Sequence, residues 1–185
     1  MDTTKRFLII FLVLGITVIY AVYKQSSVEV LPQTDSAMVL KKLPDYKLTD
    51  LEGKPVSSYG FLKKSKLLAV HFWGTWCAPC EAEFPEFLKF IESFSDTSDV
   101  TFHLIATQDT VVDVKKFLKR FKKLPPNIVL SADKEGIVQK HFNTIKVPET
   151  YLFNKEGKAL RKFVGPQEWG IKYFKDYFRS LTSSR

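Results

Sequence analysis

Residues 67–90 read LLAVHFWGTWCAPCEAEFPEFLKF, and this stretch decides the fold. It opens with an almost continuous apolar run, Leu67–Trp73, of the kind that forms a strand buried on both faces. Apolar residues then recur at three-to-four-residue spacing over residues 81–94, which predicts an amphipathic helix. Cys77 and Cys80, the only cysteines of the chain, lie in the turn between these elements. The predicted local layout is therefore strand, tight turn, helix.

The spacing of Cys77 and Cys80 suits reversible disulfide chemistry. On a helix, residues three positions apart lie on one face with Cβ atoms roughly 5–6 Å apart, and a small adjustment brings them to the ~3.8 Å of a disulfide. Cys77 falls at the predicted helix N-terminus, where unpaired backbone N–H groups and the positive end of the helix dipole favour an anion. We therefore expect a depressed Cys77 pKa, with Cys77 as the attacking thiol and the shielded Cys80 as the resolving thiol.

The residues around this pair resemble the active-site segment of a known family. The run Phe72–Cys80, followed by Glu83, Phe84 and Pro85, is similar to that of thioredoxin-fold proteins of the TlpA/ResA type. Two spaced cysteines alone are a weak signal, whereas the tryptophans and prolines around them make a long joint match. The resemblance implies a membrane-tethered thiol-disulfide oxidoreductase, of a type in which many members are reductants in cytochrome c maturation. It also implies that a redox-active Cys77–Cys80 disulfide does the chemistry, with no other cofactor.

The rest of the sequence predicts an α/β fold: a thioredoxin-like mixed β-sheet flanked by helices, with an N-terminal β-hairpin around Glu52–Lys54. The predicted hairpin strands are Asp45–Leu51 and Pro55–Ser58, the later strands are Val100–Thr107, Asn127–Ser131, Thr150–Asn154 and Leu160–Val164, and the later helices are Val111–Phe121, Ile137–Phe142 and Ile171–Leu181. Strands that alternate with helices, followed by a hairpin and a final helix, specify a mixed sheet covered on both faces. Active sites in such sheets lie beyond the carboxyl ends of parallel strands, where Cys77 is expected.

The formal net charge of +8 does not by itself indicate a nucleic-acid partner. The lysines are scattered along predicted helices and loops, and no glycine-rich phosphate loop accompanies them. This pattern favours solvated helix faces, so we expect no nucleic acid to bind. A weak electrostatic attraction to membrane headgroups or acidic partners stays open.

Residues 7–23 carry no charge and are near the short limit of the roughly 17–25 residues that span a bilayer. Lys5 and Arg6 precede them, so the positive-inside rule places the N-terminus in the cytoplasm and exports the rest. A cleavable signal peptide is the alternative, but the small residues of a cleavage site are missing near the end of the run. We therefore expect a single-pass protein of the inner (cytoplasmic) membrane, with its catalytic domain on the exported side, periplasmic or extracellular. The predicted organisation is a cytoplasmic stub at 1–6, a transmembrane signal anchor at 7–23, a linker at 24–42 and a thioredoxin-like domain at 43–185.

Trp76, Val147 and Pro148 are the candidate substrate-binding residues. The resemblance implies that Pro148 follows a cis peptide bond and packs beside the disulfide. A cis bond is tolerated almost only before proline, and it would expose the Val147 backbone to pair with a substrate peptide as an added strand. Trp76 is expected to lie against the disulfide as an apolar landing surface. Lys146 and Glu149 depart from the glycine and threonine common in the family, so substrate preference does not carry over.

Two further ionisable residues lie near the cysteines in sequence. Glu83, three residues after Cys80, matches an acidic residue that helps proton transfer in ResA-like proteins, and it is the third candidate catalytic residue. A half-buried carboxylate there would have a raised pKa; a solvated carboxylate in the first turns of the helix is the alternative. His71 either relays protons or is a core histidine satisfied by backbone, which we favour. Structural roles are expected for His103 and His141.

These features lead to one main functional hypothesis, an exported membrane-anchored thiol-disulfide oxidoreductase that reduces substrate disulfides. Its implied partners are a protein substrate with a disulfide or thiol pair, such as apocytochrome c, and a transmembrane thiol electron donor. A disulfide oxidase or isomerase is the alternative, although the Ala78–Pro79 dipeptide is closer to reductant patterns. A Cu(I)-handling module is less favoured, because His71 is on a buried strand and no methionine is near. A tethered binding domain with idle cysteines is a further class, and it predicts an ordinary Cys77 thiol.

Overall fold

The computed structural model describes residues 3–27, 40–121 and 123–183. In chain order the elements are α1 (Thr3–Ser27), β1 (Lys47–Thr49), β2 (Pro55–Ser57), α2 (Ser58–Leu62), β3 (Leu67–Trp73), α3 (Ala78–Glu92), β4 (Val100–Thr107), α4 (Val111–Leu118), β5 (Ile128–Asp133), α5 (Ile137–His141), β6 (Glu149–Asn154), β7 (Ala159–Val164) and α6 (Lys172–Ser183). The chain divides into an N-terminal unit, Met1–Leu31, and a main unit, Pro32–Arg185.

The main unit is built on a five-stranded mixed sheet. Its strand order is β5-β4-β3-β6-β7. The central strand β3 is parallel to β4 and antiparallel to β6, while β5 is parallel to β4 and β7 is antiparallel to β6. The short strands β1 and β2 form a separate antiparallel hairpin. The predicted thioredoxin-like mixed sheet with an N-terminal hairpin is therefore confirmed.

Both faces of the sheet are covered, which explains why β3 is apolar at almost every position. Every residue of Leu67–Trp73 is buried. Alternate residues face opposite sides because side chains alternate along a strand. Leu67, Ala69 and Trp73 join a core with α3, α4 and α6, whereas Leu68, Val70 and Phe72 join a second core with α2 and α5.

Aromatic side chains hold α3 and the C-terminal segment against the first face. Phe90 packs within ring contact of Trp169, 5.2 Å between centroids, and of Phe178, 4.9 Å. Phe87 also contacts Trp169, at 4.5 Å. A fully buried side chain of this size contributes roughly 1.5–3 kcal/mol. These ring contacts hold the second half of α3 against the C-terminal segment.

The N-terminal unit contains α1, which includes the predicted anchor at residues 7–23. Several of its large apolar side chains are exposed, among them Phe7, Phe11 and Ile19. In the part of the chain that the structure describes, no helix is both long enough and apolar enough to cross a bilayer. Most of the predicted linker, residues 28–39, lies outside the described residues.

Some predicted bounds were wrong. The apolar spacing predicts a helix over Val111–Phe121, but α4 ends at Leu118, and Phe121 packs against the first core from a turn. The predicted helix Ile137–Phe142 ends one residue earlier, with Phe142 as its C-cap. The short helix α2 was not predicted; it begins after Ser57, whose hydroxyl accepts a hydrogen bond from the amide of Gly60.

Candidate active site

The cysteine pair lies where β3 ends and α3 begins. Cys77 is the N-cap of α3, and the backbone N–H of Cys80 donates to Cys77 Sγ at 3.2 Å. A disulfide joins the two residues, with Cys77 5% exposed and Cys80 1% exposed. Amide donation and the helix dipole both stabilise negative charge on the Cys77 sulfur. The geometry thus provides the environment expected for an attacking thiolate.

An acidic residue that sequence reasoning missed holds the loop before the cysteines. Asp109 is buried and lies just past the carboxyl end of β4. Its carboxylate accepts a hydrogen bond from the Thr75 amide at 2.6 Å and another from the Thr75 hydroxyl at 2.7 Å. Its place beyond a strand parallel to β3 is the signal that could have found it. Asp109 fixes the backbone two residues before Cys77.

The segment at Val147 approaches the sulfurs from a distant part of the chain. The Val147–Pro148 peptide bond is cis, as the resemblance implies. The carbonyl oxygen of Val147 lies 3.7 Å from Cys77 Sγ, and Val147 is part-exposed whereas Pro148 is buried. The structure therefore brings the predicted residues Val147 and Cys77 together.

The two tryptophans around the turn differ in burial. Trp76 is 57% exposed, and its Nε1–H donates to the Thr107 carbonyl at 3.1 Å. Trp73 is fully buried and packs on Phe84 at 4.8 Å between ring centroids. A Cβ at Gly74 would lie 2.7 Å from the Trp76 ring, so any larger residue there would displace that ring. Trp76 therefore leaves more than half of its surface exposed next to Cys77 in the chain, and its role as a landing surface for substrate stays a prediction.

Glu83 is buried rather than solvated. Its side chain lies one turn after Cys80 on α3 and is 7% exposed. Glu83 Oε2 accepts hydrogen bonds from the Gln167 amide at 2.9 Å and from Trp169 Nε1 at 3.0 Å. Burial raises the pKa of Glu83 to about 7, although both hydrogen bonds oppose that rise. A carboxyl with such a pKa can both hold and release a proton near neutral pH.

His71 is a buried histidine, but its partners are side chains. Its Nδ1 forms a 2.9 Å hydrogen bond with the hydroxyl of Thr150. Its Nε2 faces Glu83 Oε1 at 3.7 Å. Burial lowers the pKa of His71 to about 3, so the ring is neutral at pH 7. The predicted core position of His71 is confirmed, but the predicted backbone partner was wrong, because the register of β3 with β6 places Thr150 opposite His71.

The other histidines do not contribute to the site. His103 is buried, with hydrogen bonds to the Tyr46 hydroxyl at 2.8 Å and the Ser131 hydroxyl at 2.9 Å, which confirms the structural role predicted for it. His141 is exposed on α5. Among the described residues, no three His, Cys, Asp or Glu side chains converge as metal ligands.

A second buried ionic group follows the cis proline directly. Glu149 Oε1 pairs with Lys162 Nζ at 2.9 Å, and Glu149 Oε2 accepts a hydrogen bond from the Tyr151 hydroxyl at 2.9 Å. Glu149 is buried, while Lys146, the other departure from the family pattern, is exposed. The sequence showed that position 149 was unusual but not that its charge is neutralised by Lys162.

The chain is similar to known proteins in both sequence and fold. A family model described as Redoxin matches residues 38–181. The chain is 30% identical over 142 residues to the thiol-disulfide oxidoreductase ResA of Bacillus thuringiensis, covering 77% of this chain and 78% of that protein. It is 28% identical over 165 residues to the sporulation thiol-disulfide oxidoreductase A of Bacillus subtilis, covering 88% of this chain and 92% of that protein. A putative thiol:disulfide interchange protein DsbE from Chlorobium tepidum has a similar fold, with a TM-score of 0.65 at 20% identity, covering 77% of this chain and 96% of that one.

Proposed function

This chain belongs to the Redoxin family and is a thiol-disulfide oxidoreductase of the TlpA/ResA type, and we propose that it acts as a reductant of disulfides in exported proteins. The observation that carries the proposal is the position of Cys77. Its sulfur accepts the Cys80 amide at the helix start and lies 3.7 Å from the Val147 carbonyl. A substrate strand paired with Val147 would bring its own sulfur to a stabilised thiolate.

The reaction passes two electrons from the enzyme dithiol to the substrate. The Cys77 thiolate attacks one sulfur of the substrate disulfide, a mixed disulfide forms, and the other substrate sulfur leaves as a thiolate that takes up a proton. Cys80 then gives up its proton and attacks Cys77 Sγ. The mixed disulfide breaks, the second substrate sulfur leaves as a thiolate that takes up a proton from solvent, and the enzyme is left as the Cys77–Cys80 disulfide.

Glu83 is the group that accepts the Cys80 proton in this proposal. It lies one helical turn from Cys80, where residues on the same face have Cβ atoms roughly 5–6 Å apart. Burial raises the pKa of Glu83 to about 7, so its carboxylate form is available near neutral pH and binds a proton readily. Glu83 is in this way the general base for the resolving step.

A reductant has to be recharged by a thiol donor. An exported compartment is oxidising, so we propose that a transmembrane thiol electron donor reduces the Cys77–Cys80 disulfide. The Ala78–Pro79 dipeptide between the cysteines supports this direction. The equilibrium constant for exchange with glutathione tests the direction of the reaction. A Cys77–Cys80 disulfide that is harder to reduce than glutathione disulfide supports the reductant, and one that is easier to reduce supports a disulfide oxidase or isomerase.

We further propose that residues 7–23 tether the domain to the inner membrane, with the catalytic domain on the exported side. Lys5 and Arg6 before an uncharged run support this orientation. Alkaline extraction of membranes tests the tether. The full chain should stay in the pellet, and a chain that begins at residue 40 should be released.

The proposed substrate is apocytochrome c, whose haem-attachment cysteines must be reduced, or another exported protein with a disulfide. Trapping in cells tests this most directly. The full chain with Cys80→Ser should accumulate a mixed disulfide on Cys77, because the resolving thiol is gone. The matched control, Cys77→Ser, should accumulate none. Recovery of a c-type cytochrome or its assembly factors supports the proposal, whereas recovery of many unrelated exported proteins supports general oxidation or isomerisation.

A further inference from the structure

Two buried polar atoms face each other beneath the redox helix. His71 Nε2 and Glu83 Oε1 are 3.7 Å apart, and neither has a hydrogen-bond partner among the described residues. Buried polar groups are nearly always satisfied. The gap is a few tenths of an ångström longer than an ordinary hydrogen bond, which is roughly 2.7–3.2 Å. One proton placed in this gap would satisfy both atoms.

The opposite sides of both groups are already fixed. Glu83 Oε2 accepts two hydrogen bonds, from Gln167 and Trp169, so a proton on this carboxyl resides on Oε1. The imidazole Nδ1 is bonded to the hydroxyl of Thr150 at 2.9 Å. A hydroxyl both donates and accepts, so Thr150 can satisfy Nδ1 with or without a proton on that nitrogen.

No other charged group forms an ion pair with either side chain among the described residues. On α3, the ring of Phe87 packs against the His71 ring with 4.5 Å between their centroids. Cys80 lies one turn before Glu83 on the same helix. On β7, the guanidinium of Arg161 lies over the rings of Phe163 and Tyr177.

On β6, the charged neighbour is Glu149, which is paired with Lys162 and points to the other face of the sheet because strand side chains alternate. The protonation of this pair therefore depends on His71 and Glu83 themselves and not on a third charged group.

We propose that His71 is a positioning residue that changes tautomer with the protonation state of Glu83, so that the carboxyl is hydrogen-bonded in both states. In the acid form the pair holds two protons: one on Glu83 Oε1, donated to His71 Nε2, and one on Nδ1, donated to the Thr150 oxygen. In the base form it holds one, on Nε2, donated to the Glu83 carboxylate, while the Thr150 hydroxyl donates to Nδ1. The single proton released goes to a sulfur or to solvent.

This mechanism deepens the proposed function, since it rests on Glu83 exchanging a proton with Cys80. A buried carboxyl normally loses a partner in one of its two states. Here the imidazole changes tautomer and the Thr150 hydroxyl rotates, so the carboxyl keeps its partner in both states. The cysteine pair could then cycle without leaving an unsatisfied atom beneath it.

Nitrogen NMR of the full chain in its disulfide form tests the tautomer directly, because the cysteines do not titrate there. His71 should carry its proton on Nδ1 well below the Glu83 pKa and on Nε2 well above it, with the change centred on the Glu83 carboxyl titration followed by carbon NMR. His103 is the internal control: it is also buried between two hydroxyls, but no carboxyl of the described residues pairs with it, so it should keep one tautomer throughout. A His71 tautomer that stays constant while Glu83 titrates overturns the proposal.

Two substitutions separate positioning from simple packing. His71→Asn can still meet Thr150 but is too short to reach Glu83, so it should raise the Glu83 pKa by about one unit, because a donor to a carboxylate is roughly twice as strong as a neutral hydrogen bond. His71→Gln carries an amide nitrogen near the Nε2 position and should restore most of the shift. An unchanged or lowered Glu83 pKa in His71→Asn would contradict the proposal.

The failure of the proposed function has a different signature. If Glu83→Gln leaves disulfide exchange unchanged at every pH, Glu83 does not serve Cys80, and the proton assignment under the proposed function is wrong. The tautomer change in the oxidised chain does not depend on that result.

Discussion

The buried carboxylate of Asp109 accepts two hydrogen bonds from one residue, Thr75, through its amide at 2.6 Å and its hydroxyl at 2.7 Å. Thr75 lies 34 residues away in sequence and two residues before Cys77. Hydrogen bonds to a charged acceptor are stronger than neutral ones. This contact ties the turn that carries the attacking sulfur to the end of the neighbouring strand β4.

Asp109→Asn should weaken both stability and exchange. The asparagine oxygen can accept one Thr75 donor, but its NH2 group would face the other, so we expect a loss of about 2 kcal/mol in unfolding free energy. Chemical denaturation and the rate of insulin disulfide reduction measure the two effects. Thr75→Ser keeps both donors and is the matched control, with a change within about 0.5 kcal/mol. Equal stability of Asp109→Asn and wild type would contradict the anchoring role.

Glu83 makes stability depend on pH. Burial raises the pKa of Glu83 from 4.5 to about 7 in the folded chain. Because the folded chain holds this proton more tightly than the unfolded chain does, the Glu83 contribution is complete below about pH 4.5 and is lost as the pH rises toward 7. Wild type should therefore lose roughly 2–3 kcal/mol relative to Glu83→Gln between pH 5 and 8. Denaturation curves at both pH values measure this. A difference in unfolding free energy between the two proteins that is the same at pH 5 and pH 8 would refute the assignment.

Trp76 and Trp73 should behave in opposite ways. Trp76 is mostly exposed, so Trp76→Ala should change stability little and slow the reduction of protein disulfides more than that of glutathione disulfide. Trp73 is fully buried, so Trp73→Ala should cost about 3–5 kcal/mol of stability. Thermal unfolding and paired rate measurements check both. A Trp76→Ala protein equally slow on both substrates would show that the ring does not serve as a landing surface.

The buried pair Glu149 and Lys162 should show strong coupling. Lys162→Met leaves the Glu149 carboxylate buried without its counter-ion and should cost about 3 kcal/mol. Adding Glu149→Gln removes the stranded charge and should recover most of that loss. A double-mutant cycle on unfolding free energy measures the coupling. Additive losses from the two substitutions would mean that the ion pair is not the source of the effect.

Two of the strands next to the site could be predicted to the residue, whereas β6 begins at Glu149, one residue before its predicted start. The predicted bounds Leu67–Trp73 and Val100–Thr107 are those of β3 and β4, because a strand buried on both faces leaves a continuous apolar run between polar ends. Helix ends were harder. Apolar spacing indicates which side chains pack inward, not where the helix ends. Phe121 does pack inward, although α4 has already ended at Leu118.

The cysteine pair and the cis proline could be recognised from local sequence, but their supporting contacts could not. Asp109 reaches Thr75, and Thr150 reaches His71, only through the pairing of separate strands. Strand register is set by how two separate strands pair, so no single local stretch of sequence specifies it. For the same reason Glu83 could be identified as a candidate while its burial by Gln167 and Trp169 stayed open.

The most direct test of the account is the pH dependence of Cys77 alkylation by iodoacetamide in the reduced full chain with Cys80→Ser. The N-terminal end of α3 should stabilise the thiolate, so the titration should have its midpoint clearly below the value of about 8.5 for a free cysteine. A midpoint at or above about 8.5 would show that the helix does not activate Cys77, and the proposed nucleophile would have to be abandoned.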